Sequence, residues 1–169
     1  MANNNCIPTV EQFQGFFQSA ANGGVAGGPK QGVPLRQLLG AQLAAFAKQV
    51  DIDRTEVILR HGAVLGFATL INELAVNAVR HGALSVPAGR VSIRWTIEKN
   101  DHPATLRFRW EETGGPSVVS PMRVELDRTI VAEMAKGPGK FRSDYSSDAL
   151  KFELELLLDE AGWIRESSF

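Results

Sequence analysis

Cysteine is nearly absent from this 169-residue chain: Cys6 is the single one. No disulfide framework and no cysteine-based metal site can therefore form within one chain, and a reducing cytoplasm suits it best. Charge of one sign is also lacking. Eighteen basic residues stand against nineteen acidic ones, a net charge of -1, so no global positive field draws the chain to nucleic acid or to an anionic membrane. Long hydrophobic runs are missing too, and nowhere do ~18 apolar residues follow one another without interruption. The nearest approach, Ala63 to Val79, is broken by Thr69, Asn72, Glu73 and Asn77. The opening Met1-Ala2-Asn3-Asn4-Asn5 has no basic segment followed by an apolar core. The expectation is a soluble protein with no membrane segment of its own.

What is present is a hydrophobic share of 44%, enough for one domain with one sizeable core at this length. Val10 to Ala21 could make a short helix, and Asn22 to Pro29 is a glycine-rich linker. From Pro34 to Val50 the residues Leu35, Leu38, Leu39, Leu43 and Phe46 recur at steps of three and four, predicting an amphipathic helix. Glu56 to Leu59 reads as a short strand. Gly62 to His81 is too long and too rich in alanine for a strand and predicts a buried helix.

Arg90 to Ile97 and Thr105 to Trp110 alternate apolar with polar residues, the two-residue period of half-buried antiparallel strands; Lys99 to Pro103 turns between them. A Gly-Pro-rich segment from Thr113 to Pro121 leads into an amphipathic stretch with Val124, Leu126, Ile130, Val131 and Met134, stopped by Gly137-Pro138-Gly139. Lys140 to Tyr145 and Ala149 to Leu158 predict a strand pair around Ser146-Ser147-Asp148. The order predicts an α+β fold: a two-layer sandwich with an antiparallel-rich mixed sheet and helices on one face. Residues 1–33 read as an N-terminal segment and linker, 34–160 as the domain, and 161–169 as a tail.

Two features could carry chemistry. On the long helix Thr69, Glu73, Asn77 and Arg80 fall three or four positions apart and share one face. On its own this stripe is most simply the solvated edge of the helix. The functional alternative gives Asn77 to a divalent metal that prefers oxygen, Glu73 to the orientation of water, and Arg80 to phosphate charge. The second feature is Trp110-Glu111-Glu112-Thr113-Gly114-Gly115-Pro116, where a strand runs into a turn. A carboxylate there can accept from an exocyclic amine, and glycines let backbone approach a flat base; read alone, it is an ordinary turn.

Together, Asn72-Glu73-Leu74-Ala75-Val76-Asn77-Ala78-Val79-Arg80-His81-Gly82-Ala83-Leu84-Ser85, Gly89-Arg90-Val91 and Trp110-x-Glu112-x-Gly114-Gly115-Pro116 resemble the HWE sensor histidine kinases of bacteria. The resemblance extends from about Val33 to about Leu158. It implies the Bergerat-type ATP-binding sandwich shared with gyrase, with Asn77 as Mg ligand, Glu73 beside it as the catalytic carboxylate, and Glu112 with Gly114 and Gly115 at the adenine. Arg80 stands where the family usually has a phosphate-binding lysine. The resemblance implies a cytoplasmic ATP-binding domain of two-component signalling that passes a phosphoryl group to a histidine on a partner and works with a response regulator.

Three departures qualify it. The family's signature histidine is Asn72 here. Its second glycine box is matched by Glu125-Leu126-Asp127, so glycines that would wrap phosphates are replaced by carboxylates, which repel an anion by several kcal/mol at ~4 Å where screening is weak. Those acids also suit the first turn of a helix and can satisfy its N–H groups themselves. No phosphoacceptor hairpin fits before Val33, and His61, His81 and His102 each have an ordinary place at a strand end, a helix end and a turn. Two other functions therefore stand beside the kinase domain: a nucleotide-weak pseudokinase that docks a response regulator or kinase, and an anti-sigma-factor serine kinase.

Overall fold

A computed structural model describes residues 32–59, 61–98, 105–116, 139–145, 149–157 and 164–166. Helix α1 (Leu35–Gln42) follows a two-residue strand β1 (Val33–Pro34). It buries Leu35, Leu38 and Leu39 and is shorter than its periodicity predicts. At Leu43 the backbone leaves helical geometry, and a 3₁₀ turn (Ala44–Phe46) carries the chain into β2 (Val50–Ile52). The turn is tied by Phe46 N–H to Leu43 O (2.8 Å) and Gln49 N–H to Phe46 O (2.8 Å). Strand β2 is a correction to the single helix expected from Pro34 to Val50. The apolar period persists through Phe46 because both the helix and the turn face the core, whereas β2 forms through parallel pairing with a strand some forty residues on, with Val50 opposite Val91.

Strand β3 (Val57–Leu59) leads into α2 (His61–Arg80), the buried helix the sequence predicts. Among the described residues it is the one helix long and apolar enough by composition to cross a membrane, over Ala63–Arg80; half of that window is buried inside the domain, as in a core helix. A second 3₁₀ turn (Ala83–Ser85) precedes β4 (Arg90–Glu98) and β5 (Thr105–Thr113). Strands β6 (Gly139–Tyr145) and β7 (Ala149–Leu157) confirm the expected closing pair. The main sheet has the order β2-β4-β5-β7-β6, antiparallel throughout except for β2 with β4. A small second sheet, β1-β3-β8, takes in Ile164–Glu166 from the stretch read as a tail.

Register explains the core. Ile93, Trp110 and Phe152 lie in one row across β4, β5 and β7; Trp95, Phe108 and Leu154 form the next, and Ile97, Leu106 and Leu156 a third. Alternation turns these rows to one face, where α1 and α2 cover them in a single hydrophobic cluster. Phe67 of α2 meets Phe108 edge to face with centroids 6.0 Å apart. The opposite face carries ion pairs: Arg107 with Glu98 (2.9 Å) and Glu155 (3.3 Å), Arg109 with Glu153 (2.6 Å), and Lys151 with Glu111 (3.1 Å). This is the α+β sandwich predicted, with helices on one face of a mixed, mainly antiparallel sheet.

The helix expected around Val124 to Met134, the residues Glu125-Leu126-Asp127, the turns at 99–103 and 146–148, the linker and the helix at 10–21 lie outside the described residues.

Candidate functional site

Helix α2 ends near the far end of β5, where the turn that follows it, at Gly82 and Ala83, meets Glu112. Glu73 and Asn77 lie half-buried on α2, and Arg80 is exposed in its last turn. Among the described residues no side chain pairs with Glu73, Asn77 or Arg80, so a carboxylate, a carboxamide and a guanidinium stand unengaged along one stripe. Thr69, at the other end of the stripe, is committed: its hydroxyl donates to Leu65 O (2.9 Å). His81 N–H donates to Asn77 O (2.9 Å) and Gly82 N–H to Ala78 O (3.0 Å), extending helical bonding to the turn.

Glu112 is not in the turn after β5 but within the strand, its side chain only 3% exposed on the core-facing side. Both carboxylate oxygens accept hydrogen bonds. Oε2 takes the Ala83 N–H (2.8 Å), and Oε1 takes the indole N–H of Trp110 (3.0 Å). Burial pushes the Glu112 carboxyl above its ordinary value of 4.5, while the Ala83 and Trp110 hydrogen bonds pull it back. The sequence reading set this acid where the strand runs into a turn; the structure puts it inside β5, where its carboxylate ties β5 to the turn after α2.

Close approach at this junction requires glycine. A Cβ on Gly82 would overlap Glu112 Oε2 and lie 2.9 Å from Ala78 Cα. Gly114 has φ +67, which favours glycine, and its neighbour Gly115 packs on Ala83, where a Cβ would lie 3.0 Å from the Ala83 nitrogen. The loop between α2 and β4 is fixed from outside as well: Gln49 Nε2 donates to Val86 O (2.9 Å) and Gly89 O (3.1 Å), and Arg90 donates to Pro87 O (2.9 Å).

The junction thus gathers Glu112, Gly114 and Gly115 with the helix end that follows Glu73, Asn77 and Arg80. The bond from Trp110 to Glu112, the close packing of Gly82 and the Ala83 amide were not read from the sequence, although these residues stand in its motifs. One signal could have found Trp110: residues 110 and 112 of a strand point to the same face. Among the described residues no cluster of three or more His, Cys, Asp or Glu gathers.

Comparison with known proteins bears on the family and the fold. No family model matches the chain. It is 32% identical over 115 residues to blue-light-activated histidine kinase 1 of Erythrobacter litoralis, covering 66% of this chain and 31% of that protein. Over 127 residues it is 29% identical to a blue-light-activated histidine kinase of Rhizobium johnstonii, covering 73% of this chain and 36% of the relative. The histidine kinase domain of the E. litoralis EL346 blue-light-activated kinase superposes with a TM-score of 0.59 at 18% identity, covering 86% of this chain and 76% of that one. The chain is a relative of the histidine kinases and has the fold of their ATPase domain. The Acinetobacter baumannii histidine kinase AdeS shares this histidine-kinase ATPase fold, with a TM-score of 0.53 at 13% identity over 94% of this chain and 89% of that one. The chain spans about a third of the length of the first two curated relatives.

Proposed function

We propose that this histidine-kinase-type domain binds Mg-ATP and serves two-component signalling in the cytoplasm, passing a phosphoryl group to a histidine supplied by a partner or by another part of a longer polypeptide. Trp110-x-Glu112 supports placing it in the HWE type. A response regulator or a histidine-bearing protein is the proposed partner.

The observation that carries this reading is the junction of α2 with β5. It sets unengaged oxygen donors and a buried carboxylate on two elements that touch, where metal and base would be held. The residues fit the group. Asn77 Oδ1 is the hard oxygen donor that Mg²⁺ takes, and Glu73 is one turn away on the same face to accept from a metal-bound water. Each oxygen of Glu112 keeps a lone pair beyond the hydrogen bond it already accepts, available to an exocyclic amine. Arg80, exposed at the helix end, supplies charge for phosphate. When bound, Mg²⁺ would neutralise phosphate charge; the protein's own share is positioning, which dominates phosphoryl transfer.

Millimolar Mg-ATP is expected to raise the melting temperature, with the shift lost in Asn77→Ala and in the absence of Mg²⁺. No shift in the native protein, together with an unchanged response in the variant, would end this reading. A nucleotide-weak docking module is the second reading, favoured by Glu125-Leu126-Asp127 in place of a second glycine box. Sub-micromolar ATP affinity with measurable phosphotransfer to a histidine-bearing partner would exclude it.

A further inference from the structure

Trp110 is fully buried in the middle of β5, in register between Ile93 and Phe152. Phenylalanine or leucine would suit such a core position by shape and apolarity. What tryptophan adds is one polar atom, and that atom is spent on Glu112: Nε1–H donates to Oε1 at 3.0 Å. The ring is fully buried in its row, which restricts the donor to few orientations. From the other side the Ala83 amide holds Oε2 at 2.8 Å. A carboxylate gripped at both oxygens has one orientation.

We propose that Trp110 is a positioning residue for recognition of the nucleotide base: its indole N–H, with the Ala83 N–H, fixes the Glu112 carboxylate so that its remaining lone pairs meet an exocyclic amine. The inference rests on the Mg-ATP reading above and adds a role for a residue that touches neither base nor metal. The surroundings of Glu112 make the two bonds matter. Its register partners are Val91 on β4 and Leu150 on β7, and the helix end offers Ala78, Gly82 and Ala83. The nearest ionisable groups in sequence lie elsewhere: Arg80 and His81 are exposed at the end of α2, and Glu111 pairs with Lys151 on the opposite face of the sheet. With no cation beside it among the described residues, the ionised form, which alone leaves both oxygens free of a proton, depends on these two donors.

The test compares the native protein with Trp110→Phe and with site-specific benzothienylalanine at 110, which keeps the bicyclic shape and replaces N–H by sulfur. First, in nucleotide-free protein, the Glu112 side-chain carboxyl is titrated by carbon NMR, assigned by its loss in Glu112→Gln. Loss of one hydrogen bond to a charged acceptor should move its midpoint upward by about one pH unit. Second, affinities for ATP and for purine riboside triphosphate, which lacks the exocyclic amine, are measured at neutral pH. The native preference for ATP should fall at least ~10-fold in the substituted proteins, the equivalent of about 1.4 kcal/mol.

If native protein binds ATP with preference but the benzothienyl protein keeps both its midpoint and that preference, the Trp110 proposal is wrong and the Mg-ATP reading stands. If native protein binds neither nucleotide, the Mg-ATP reading fails and base recognition fails with it, whatever the titration shows. The sulfur isostere keeps the test open should Trp110→Phe not fold.

Discussion

Replacing Gly82 with alanine places a methyl group where Glu112 Oε2 now sits and 2.9 Å from Ala78 Cα. At φ -110 the backbone at Gly82 suits alanine, so the cost comes from contact rather than from conformation. Two contacts must give. Displacing Glu112 breaks the 2.8 Å bond from Ala83 N–H and leaves that amide buried without a partner, a loss of about 1.5–3 kcal/mol for a hydrogen bond to a charged acceptor. The overlap with the helix backbone adds about 1–3 kcal/mol, as overpacking does. Gly82→Ala should therefore destabilise by about 2.5–6 kcal/mol.

The share due to Glu112 is separable by a double-mutant cycle. In a Glu112→Ala background the methyl group meets only the helix backbone, and the same substitution should cost about 1–3 kcal/mol. The expected coupling is about 2 kcal/mol, read from urea unfolding followed by tryptophan fluorescence at pH 7. A cost that is the same in both backgrounds within about 0.5 kcal/mol would refute the claim that Glu112 grips the end of α2.

Two further outcomes follow from buried polar groups. Gln42 is 2% exposed; its Nε2 donates to Ala68 O (2.8 Å), but its Oε1 has no partner among the described residues. Gln42→Met keeps the volume and removes the orphaned oxygen, so urea unfolding should register a change below about 1 kcal/mol, whereas Gln42→Ala should cost about 2–3 kcal/mol through the cavity it leaves. Because the folded Glu112 carboxyl is raised above 4.5, its burial stabilises most in the protonated form, below the unfolded value, and that stabilisation is lost as pH rises through the folded value. The stability of native protein relative to Glu112→Gln should thus increase as pH falls from 7 toward 4.5, and a difference independent of pH would contradict the raised carboxyl.

Much of this was legible in the chain because it is local. The alternation through Leu106, Phe108 and Trp110 reports a strand with one buried face, and the apolar run of α2 reports a core helix. Glu112 obeys the same alternation, yet the Gly-Gly-Pro that follows draws it toward a turn, and nothing local says that an acid occupies a buried position. Its bond to Ala83 spans 29 residues and belongs to tertiary structure. Strand β2 was hidden for a related reason: three residues make too short a pattern, and their partners Val91 to Ile93 lie on the far side of α2 in sequence. The stripe of Glu73, Asn77 and Arg80 was legible as a face, while the contact of the turn after it with Glu112 was not.

The small sheet has a consequence for the order of folding. Strand β3 takes β1 on one side, Val33 opposite Leu59, and β8 on the other, Val57 opposite Glu166. The second pairing joins residues more than a hundred positions apart, so its loop closure costs more entropy than any hairpin in the main sheet. The five-stranded sheet can close as soon as residue 157 is available, while β3 stays an edge with a two-residue neighbour until Ile164–Glu166 arrives. Because β3 runs almost directly into α2, the head of the core helix is expected to gain its full protection from hydrogen exchange last, after the half that bears Asn77 has already docked.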